Sequence, residues 1–463
     1  MAVTTPAATL AEGVRAVLAA ATGTELAGAE VRRLTGGASR EIYAVRATDH
    51  TGRETTAVLR RDPPGRGEID RMRAEVACLR AAATAGVPVP EVLASGDTAP
   101  GIDAPYLLMN TVPGESIPRK LQRDPGFAAV RAQLAEDFGY VLGLIHRTPV
   151  TTLTALDDRD PLDAIEHTYR DLADPRPAVE IGLRWLRDNR PPDRAAGLVH
   201  GDFRLGNLLI DTDGIRGVLD WELAHLGNPI EDLGWLCVRA WRFGATAPVG
   251  GLGTRDQLLD GYQRATGDRP AAAELHWWEV FGTLKWLVLS RFQAERHLGG
   301  AEHSLELAAI GRRVCESEYD LLDVLGLLEV VPGDSAPPPP VPTVHDRPDL
   351  TEILDLVAET LTGEIGPALP EDAGAQRYLL RICASLLQIG ARELRAGAGP
   401  TDRVHDLLCA LDCPSEAALA ERLRAGALAG ADPRVRAAGD AAVGAGGRGW
   451  NPPKGRGGGW GRV

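Results

Sequence analysis

Over the first hundred residues apolar side chains alternate with polar ones. In "LTGGASREIYAV" (34–45) and again in "TTAVLRR" (55–61) the period is two, that of strands with one face in a core. "VPVPEVLASG" (87–96) and "APYLLMNTVPG" (104–114) are two further strand-like pieces. Between these pairs, "IDRMRAEVACLRAAATA" (69–85) reads as a helix that Gly86 and Pro88 end. The pattern predicts a mostly antiparallel sheet with one inserted helix. After Gly114 the period becomes helical, over 126–147, 161–189, 254–266, 272–297 and 301–328, and a strand-rich stretch at 198–224 interrupts it.

The Pro-rich "VVPGDSAPPPPVPTVHDRP" (330–348) predicts an extended linker. Beyond it, Leu350, Ile353, Leu354, Val357 and Leu361 return to helical spacing and predict a small all-α domain over 349–435. The Gly-rich tail, 436–463, holds too little apolar surface to fold and is expected to be disordered. The expected fold class is α+β, a two-lobed arrangement followed by the all-α domain. A β-rich N-lobe (1–112) precedes a helical C-lobe (113–329). Clefts between lobes are where ligands sit.

Composition narrows the picture. A net charge of −14 disfavours nucleic acid and anionic membrane as partners. Six scattered cysteines form no disulfide framework and suit a reducing, cytoplasmic setting. "MAVTTPAATLAEGVRAVLAAATG" has no basic segment before its Ala-rich run and carries Glu12, so it reads as a helix rather than a signal peptide. No apolar run reaches the roughly 18 residues that span a bilayer.

One turn carries chemistry. "LVHGDFRLGNLLID" (198–211) sets His200, Asp202, Arg204 and Asn207 between two apolar runs. Asp220 ends the next apolar strand, in "GVLDWE". His-x-Asp-x4-Asn followed by a strand-end Asp is the spacing of a kinase catalytic loop and its second metal-binding carboxylate. The reaction needs such groups. ATP crowds negative charges together, Mg²⁺ wants hard oxygen ligands, and phosphoryl transfer asks for positioning and charge neutralisation.

"HGDFRLGNLLI…VLDWELAHLGNPIEDLGWL" resembles the signature of the aminoglycoside phosphotransferase family, similar in fold to protein kinases. "VLRRDPPG" (58–65), "VPVPEVL" (87–93) and "YLLMNTVPGESI" (106–117) are most similar to the branch of kinase-like domains linked to acyl-CoA dehydrogenases. The resemblance covers about residues 25–328. It implies a protein-kinase-like fold, ATP and Mg²⁺ as cofactors, and a hydroxylated small molecule as acceptor, in this branch a hydroxyacyl-CoA. Asp202 matches the catalytic base, Asn207 and Asp220 the Mg²⁺ ligands, and Asp232 a carboxylate that braces the catalytic loop. Arg60 stands where the family keeps a nucleotide-binding Lys, with a bidentate fork in place of a point charge. Glu75, on the N-lobe helix, matches its partner. Gly36, Gly37 and Ser39 of "TGGAS" fit a phosphate-covering turn, because glycines let backbone N–H groups approach an anion. His200 is expected to pack beneath the turn. Glu222 follows the metal ligand with no role assigned. Gly206 and Asn228 depart from the family pattern without removing a metal ligand. The C-terminal region resembles an uncharacterised helical module.

Two other readings accompany this one. In one, the protein is an aminoglycoside kinase; the helix "ELHWWEVFGTLKWLVLSRFQ", with Lys285 and Arg291, favours an anionic or apolar acceptor instead. In the other, the kinase-like part is a non-catalytic sensor of nucleotide or CoA ester, with 349–435 as its partner contact. Arg119 and Lys120 are candidates for meeting an anionic ester. Trp277, Trp278 and Trp286 read as core. His405, Cys409 and Cys413 share a helix face but lack a fourth ligand for a soft metal.

Overall fold

The alternation of the first hundred residues becomes a five-stranded antiparallel sheet preceded by a helix, α1 (Ala7–Thr22). The computed structural model describes residues 7–34, 40–65, 67–328, 348–370, 373–397, 399–430, 432–435 and 437. Strands β1 (Leu26–Arg33), β2 (Glu41–Asp49) and β3 (Glu54–Arg61), helix α2 (Ile69–Thr84), and strands β4 (Val92–Gly96) and β5 (Tyr106–Asn110) follow in chain order. The sheet runs β1-β2-β3-β5-β4. Leu10, Val14 and Leu18 form one stripe of α1 and pack on Leu26, Val45, Leu59 and Leu108. Strand alternation then sorts two neighbouring arginines. Arg61 lies on the side of Ala57 and Leu59, buried, donating to Glu41 at 2.8 Å and to the Ile102 carbonyl at 2.8 Å. Arg60 takes the opposite face, where α2 brings Glu75.

The short helices α3 (Pro118–Arg123) and α4 (Ala128–Arg131) lead into α5 (Leu134–His146). Residues 161–189, expected as one helix, form α6 (Pro161–Asp171) and α7 (Pro177–Asp188). Ala173 between them has φ +50°, and Pro175 and Pro177 follow, so the chain cannot stay helical there. Strands β6 (Gly197–Val199), β7 (Leu208–Asp211), β8 (Gly214–Val218) and β9 (His225–Gly227) pair as β6–β9 and β7–β8. The two strands flanking the turn that holds Asp202 thus belong to different small sheets. Helices α8 (Ile230–Cys237), α9 (Arg255–Thr266), α10 (Ala272–Leu298), α11 (Leu305–Gly311) and α12 (Val314–Val324) follow, the last two replacing the single helix expected over 301–328. The C-terminal region is helical as expected: α13 (Leu350–Thr360), α14 (Gly366–Ala368), α15 (Gly374–Ala396), α16 (Gly399–Ala410) and α17 (Glu416–Arg424).

The described residues divide into two compact units. One holds 7–160 and 192–278, the sheet with α1 and α2 together with α5, β6–β9, α8 and α9. It carries the five-stranded sheet and the turn that holds Asp202. The other holds 161–191 and the described residues from 279 on. Within it α17 docks on α7: Arg424 donates to Glu180 at 2.7 Å and Arg184 to the Leu423 carbonyl at 2.6 Å. The linker and the Gly-rich tail fall largely outside the described residues. Trp277 and Trp278 are buried, and Trp286 is half-buried. Cys413 is buried and takes an N–H from Arg422 at 3.4 Å, and among the described residues no group of His, Cys, Asp and Glu could hold a metal ion by itself. No helix among them is long and apolar enough to cross a membrane.

Two helices of the first unit touch backbone to backbone. A Cβ on Gly139 of α5 would lie 1.9 Å from the Leu258 carbonyl oxygen, and one on Gly261 of α9 would lie 1.8 Å from that of Glu136. Helix α9 is fixed at its start by a reciprocal capping box between Thr254 and Gln257. We expect Gly261→Ala to lower the unfolding free energy by about 3 kcal/mol, the upper range of overpacking, because backbone cannot yield as a side chain does. Gly28→Ala, where a Cβ meets nothing within 4 Å, should change it by less than about 1 kcal/mol. Urea unfolding compares the two; equal stabilities would refute the close-contact argument.

Candidate active site

The turn between β6 and β7 is pinned from below by one carboxylate. Asp232, in the first turn of α8, is fully buried. Its Oδ2 accepts the His200 N–H at 2.7 Å, and its Oδ1 accepts the Gly201 N–H at 2.9 Å. His146, at the end of α5, lies 3.1 Å from Oδ2 through Nε2 and 3.2 Å from the Tyr262 hydroxyl through Nδ1. A carboxylate can only accept, so Nε2 donates to it and Nδ1 takes the tyrosine proton. Burial pushes the Asp232 carboxyl up, but His146, His200 and the backbone N–H hold it below its ordinary value. Gly201 has φ +81°, and a Cβ there would lie 2.4 Å from the Leu223 carbonyl, so the turn requires glycine.

His200 is fully buried and packs as expected, its ring against Trp221 and Phe203. Its Nδ1 accepts the Asp202 N–H at 3.2 Å, so Nε2–H donates to the Leu219 carbonyl at 3.0 Å. Asp202 itself is crowded with donors. Asn207 Nδ2 reaches its Oδ2 at 2.7 Å and its carbonyl at 2.9 Å. Arg204 Nε lies 3.0 and 3.1 Å from the two carboxylate oxygens, and Trp235 Nε1 lies 3.0 Å from Oδ1. Asn207 is also tied to the next strand, its carbonyl accepting the Leu219 N–H at 2.8 Å.

Asp220 follows directly. Its φ of +65° is unusual for a residue with a side chain and is the kind of strain that collects at functional sites. Arg60 donates to Asp220 Oδ1 at 2.9 Å and to Glu75 Oε1 at 2.5 Å, so one guanidinium joins β3, α2 and the end of the apolar strand. Burial works against its charge, but Glu75, Asp220 and Glu222 more than restore it. For Asp220, burial pushes the carboxyl up while Arg60, His200 and Arg204 hold it below the usual range. Glu222 is exposed. Glu75 has a second partner that the sequence did not reveal: Arg40, which also donates to Asp62 at 3.0 Å. Gly36, Gly37 and Ser39 lie outside the described residues.

Two candidate cations prove to be engaged. Lys120 pairs with Glu115 at 2.8 Å, and Arg291 pairs with Asp174 at 2.7 Å and Glu295 at 2.8 Å. Arg291 therefore gives little support to an anionic acceptor. The residues missed were Arg40, His146, Trp235 and Trp241. Only Trp235 carried a signal, three positions after Asp232 within "GNPIEDLGWL".

The profile of the phosphotransferase enzyme family matches residues 30–278, more than half of the chain. The chain belongs to this family. Among curated proteins, the family segment is similar to mouse acyl-CoA dehydrogenase family member 10, 32% identical over 238 residues, covering 48% of this chain and 21% of that one. Chicken acyl-CoA dehydrogenase family member 11 is 27% identical over 305 residues, covering 57% and 37%. The chain thus spans between about a fifth and two fifths of these relatives, and the likeness to the dehydrogenase-linked branch is borne out. Among solved structures, a candidate aminoglycoside phosphotransferase from Ralstonia eutropha superposes with a TM-score of 0.55 at 21% identity, covering 68% of this chain and 98% of that one. That likeness confirms the two-lobed fold of the family.

The brace makes a prediction for stability. Asp232→Asn sets an amide against two backbone N–H groups and should cost about 3 kcal/mol at pH 7, as breaking a buried pair does. The Asp232 carboxyl is held below its ordinary 3.8 when folded. Its stabilisation is therefore complete above that pH and fades as pH falls through the folded value. Below about pH 4 the variant should lose less stability than the parent protein. Urea melts across that range test this; parallel pH profiles would remove Asp232 from the account.

Proposed function

We propose that the protein is an ATP- and Mg²⁺-dependent phosphotransferase acting on a small-molecule hydroxyl. The observation that carries this reading is two hydrogen-bonded pairs, Asn207 on Asp202 and Arg60 on Asp220, linked by the Leu219 N–H on the Asn207 backbone carbonyl. Asp202 would accept the proton of the attacking hydroxyl, and Arg60 would lay its fork on the nucleotide phosphates while keeping Glu75. The donors present suit a magnesium ion. Asn207 spends its NH₂ on Asp202, which turns its carbonyl oxygen away, and the Asp220 side chain is 34% exposed beside Arg60. Both are hard oxygen donors, the kind Mg²⁺ takes. When bound, the ion would supply charge neutralisation along the phosphates.

For the acceptor we favour a hydroxyacyl-CoA or a related hydroxylated acyl compound. The support is sequence likeness to acyl-CoA dehydrogenase family members, together with "VLRRDPPG" and "YLLMNTVPGESI". The deciding experiment offers the purified protein Mg-ATP with hydroxyacyl-CoAs, aminoglycosides, amino alcohols and sugars, and reads phosphorylated product by mass spectrometry. Product on an acyl-CoA is expected. Product on an aminoglycoside alone would overturn the acceptor and leave the catalytic residues standing.

Asp202→Ala should lower turnover by about 10²–10⁴, the worth of a positioned base, with Mg-ATP binding nearly intact. Unchanged turnover would remove Asp202 from the mechanism. Arg60→Ala should weaken ATP binding by about 2–4 kcal/mol through the loss of charge-assisted hydrogen bonds. Arg60→Lys should restore only part, since an ammonium cannot hold Glu75 and Asp220 in one plane. Calorimetric titration with ATP measures both; equal affinities for all three proteins would place Arg60 outside the nucleotide site.

A further inference from the structure

We propose that Trp235 is a positioning residue for Asp202, its indole N–H fixing the plane of the carboxylate. The inference rests on the reading of Asp202 as the base. An aspartate turns easily about its last bond, whose preferences are broad. A base must nevertheless present one oxygen to the hydroxyl at hydrogen-bond distance. Here donors from three directions settle the plane: Asn207 on Oδ2 at 2.7 Å, Trp235 on Oδ1 at 3.0 Å, and Arg204 Nε across both at 3.0 and 3.1 Å.

Trp235 suits this task by chemistry and by place. Indole N–H donates and cannot accept, so it orients the carboxylate without competing for the proton. It stands three residues after Asp232, on the same face of α8. One helix therefore grips the turn twice, its backbone through Asp232 and its carboxylate through Trp235. The indole is 3% exposed and leans on Trp241, ring centres 5.0 Å apart. Trp241 in turn carries the Arg204 guanidinium 5.0 Å from its ring centre. The frame also explains Gly206, a departure from the family pattern. A Cβ there would lie 2.6 Å from Arg204 Nη1, and Arg204 is held in place by Asp202 and Trp241.

The test uses the full chain labelled with ¹⁵N in its nine tryptophans. The indole N–H signal that vanishes in Trp235→Phe should be the one that moves most on Asp202→Asn, a readout that needs no activity. Trp235→Phe keeps the ring and removes the donor. Its kcat should fall about ten- to a hundredfold, the worth of a hydrogen bond to a charged group, with KM for Mg-ATP within about twofold. Arg204→Lys, which keeps the charge and loses the Nε–H fork, should also lower kcat. An Asp202→Asn protein as active as the parent overturns the reading of the site, and this inference with it. An inactive Asp202→Asn beside a Trp235→Phe of parental kcat overturns this inference alone. So does an indole signal indifferent to Asp202→Asn, or a loss of kcat matched by an equal rise in KM.

Discussion

The site depends on one buried carboxylate. Asp232 sits in the interior where a charge is costly, and it is tolerated because four nearby groups compensate: two backbone N–H groups, the His146 imidazole, and the positive end of α8. The same bonds close the turn that carries Asp202. A turn of this kind has few backbone partners of its own, since β6 and β7 pair with other strands. Without an internal acceptor, the His200 and Gly201 N–H groups would be buried and unsatisfied. The desolvation cost of Asp232 is thus tied to the geometry of Asp202.

The packing beneath Asp232 follows from that demand. His146 must come from the end of α5 and its orienting hydroxyl from Tyr262 on α9. The two helices approach closely enough to set this geometry because Gly139 and Gly261 let backbone meet backbone. Glycine lowers helix propensity by about 1 kcal/mol, and the contact it permits gives the loss a purpose.

A second cluster joins the sheet to the turn. Arg60 spans Glu75 and Asp220, while Arg40 shares Glu75 and holds Asp62. Two guanidinium groups and three carboxylates lie together, so burial is offset within the cluster rather than pair by pair. An arginine serves where a lysine would not, because its fork reaches two carboxylates at once. Strand alternation decides that Arg60, and not Arg61, does this.

The sequence by itself determined the pattern of strands and helices and the spacing of the candidate chemical groups. Period-two and period-3.6 patterns are local properties of the chain, and they marked the sheet, α2 and most helices. The spacing from Asp202 to Asn207 to Asp220 is likewise local, because one turn and one hairpin connect them. Tertiary structure alone decided what holds those groups. Trp235, His146, Tyr262 and Arg40 reach the site from separate elements, and no period or spacing relates them to Asp202. The break at Ala173 needed a backbone angle that composition only hinted at, through Pro175 and Pro177. The pairing of Lys120 and Arg291 with nearby carboxylates was equally hidden, since a charge in a sequence does not announce its partner. Residue types near in the chain can be read as chemistry, whereas burial, orientation and partnership arise only when distant segments are packed together.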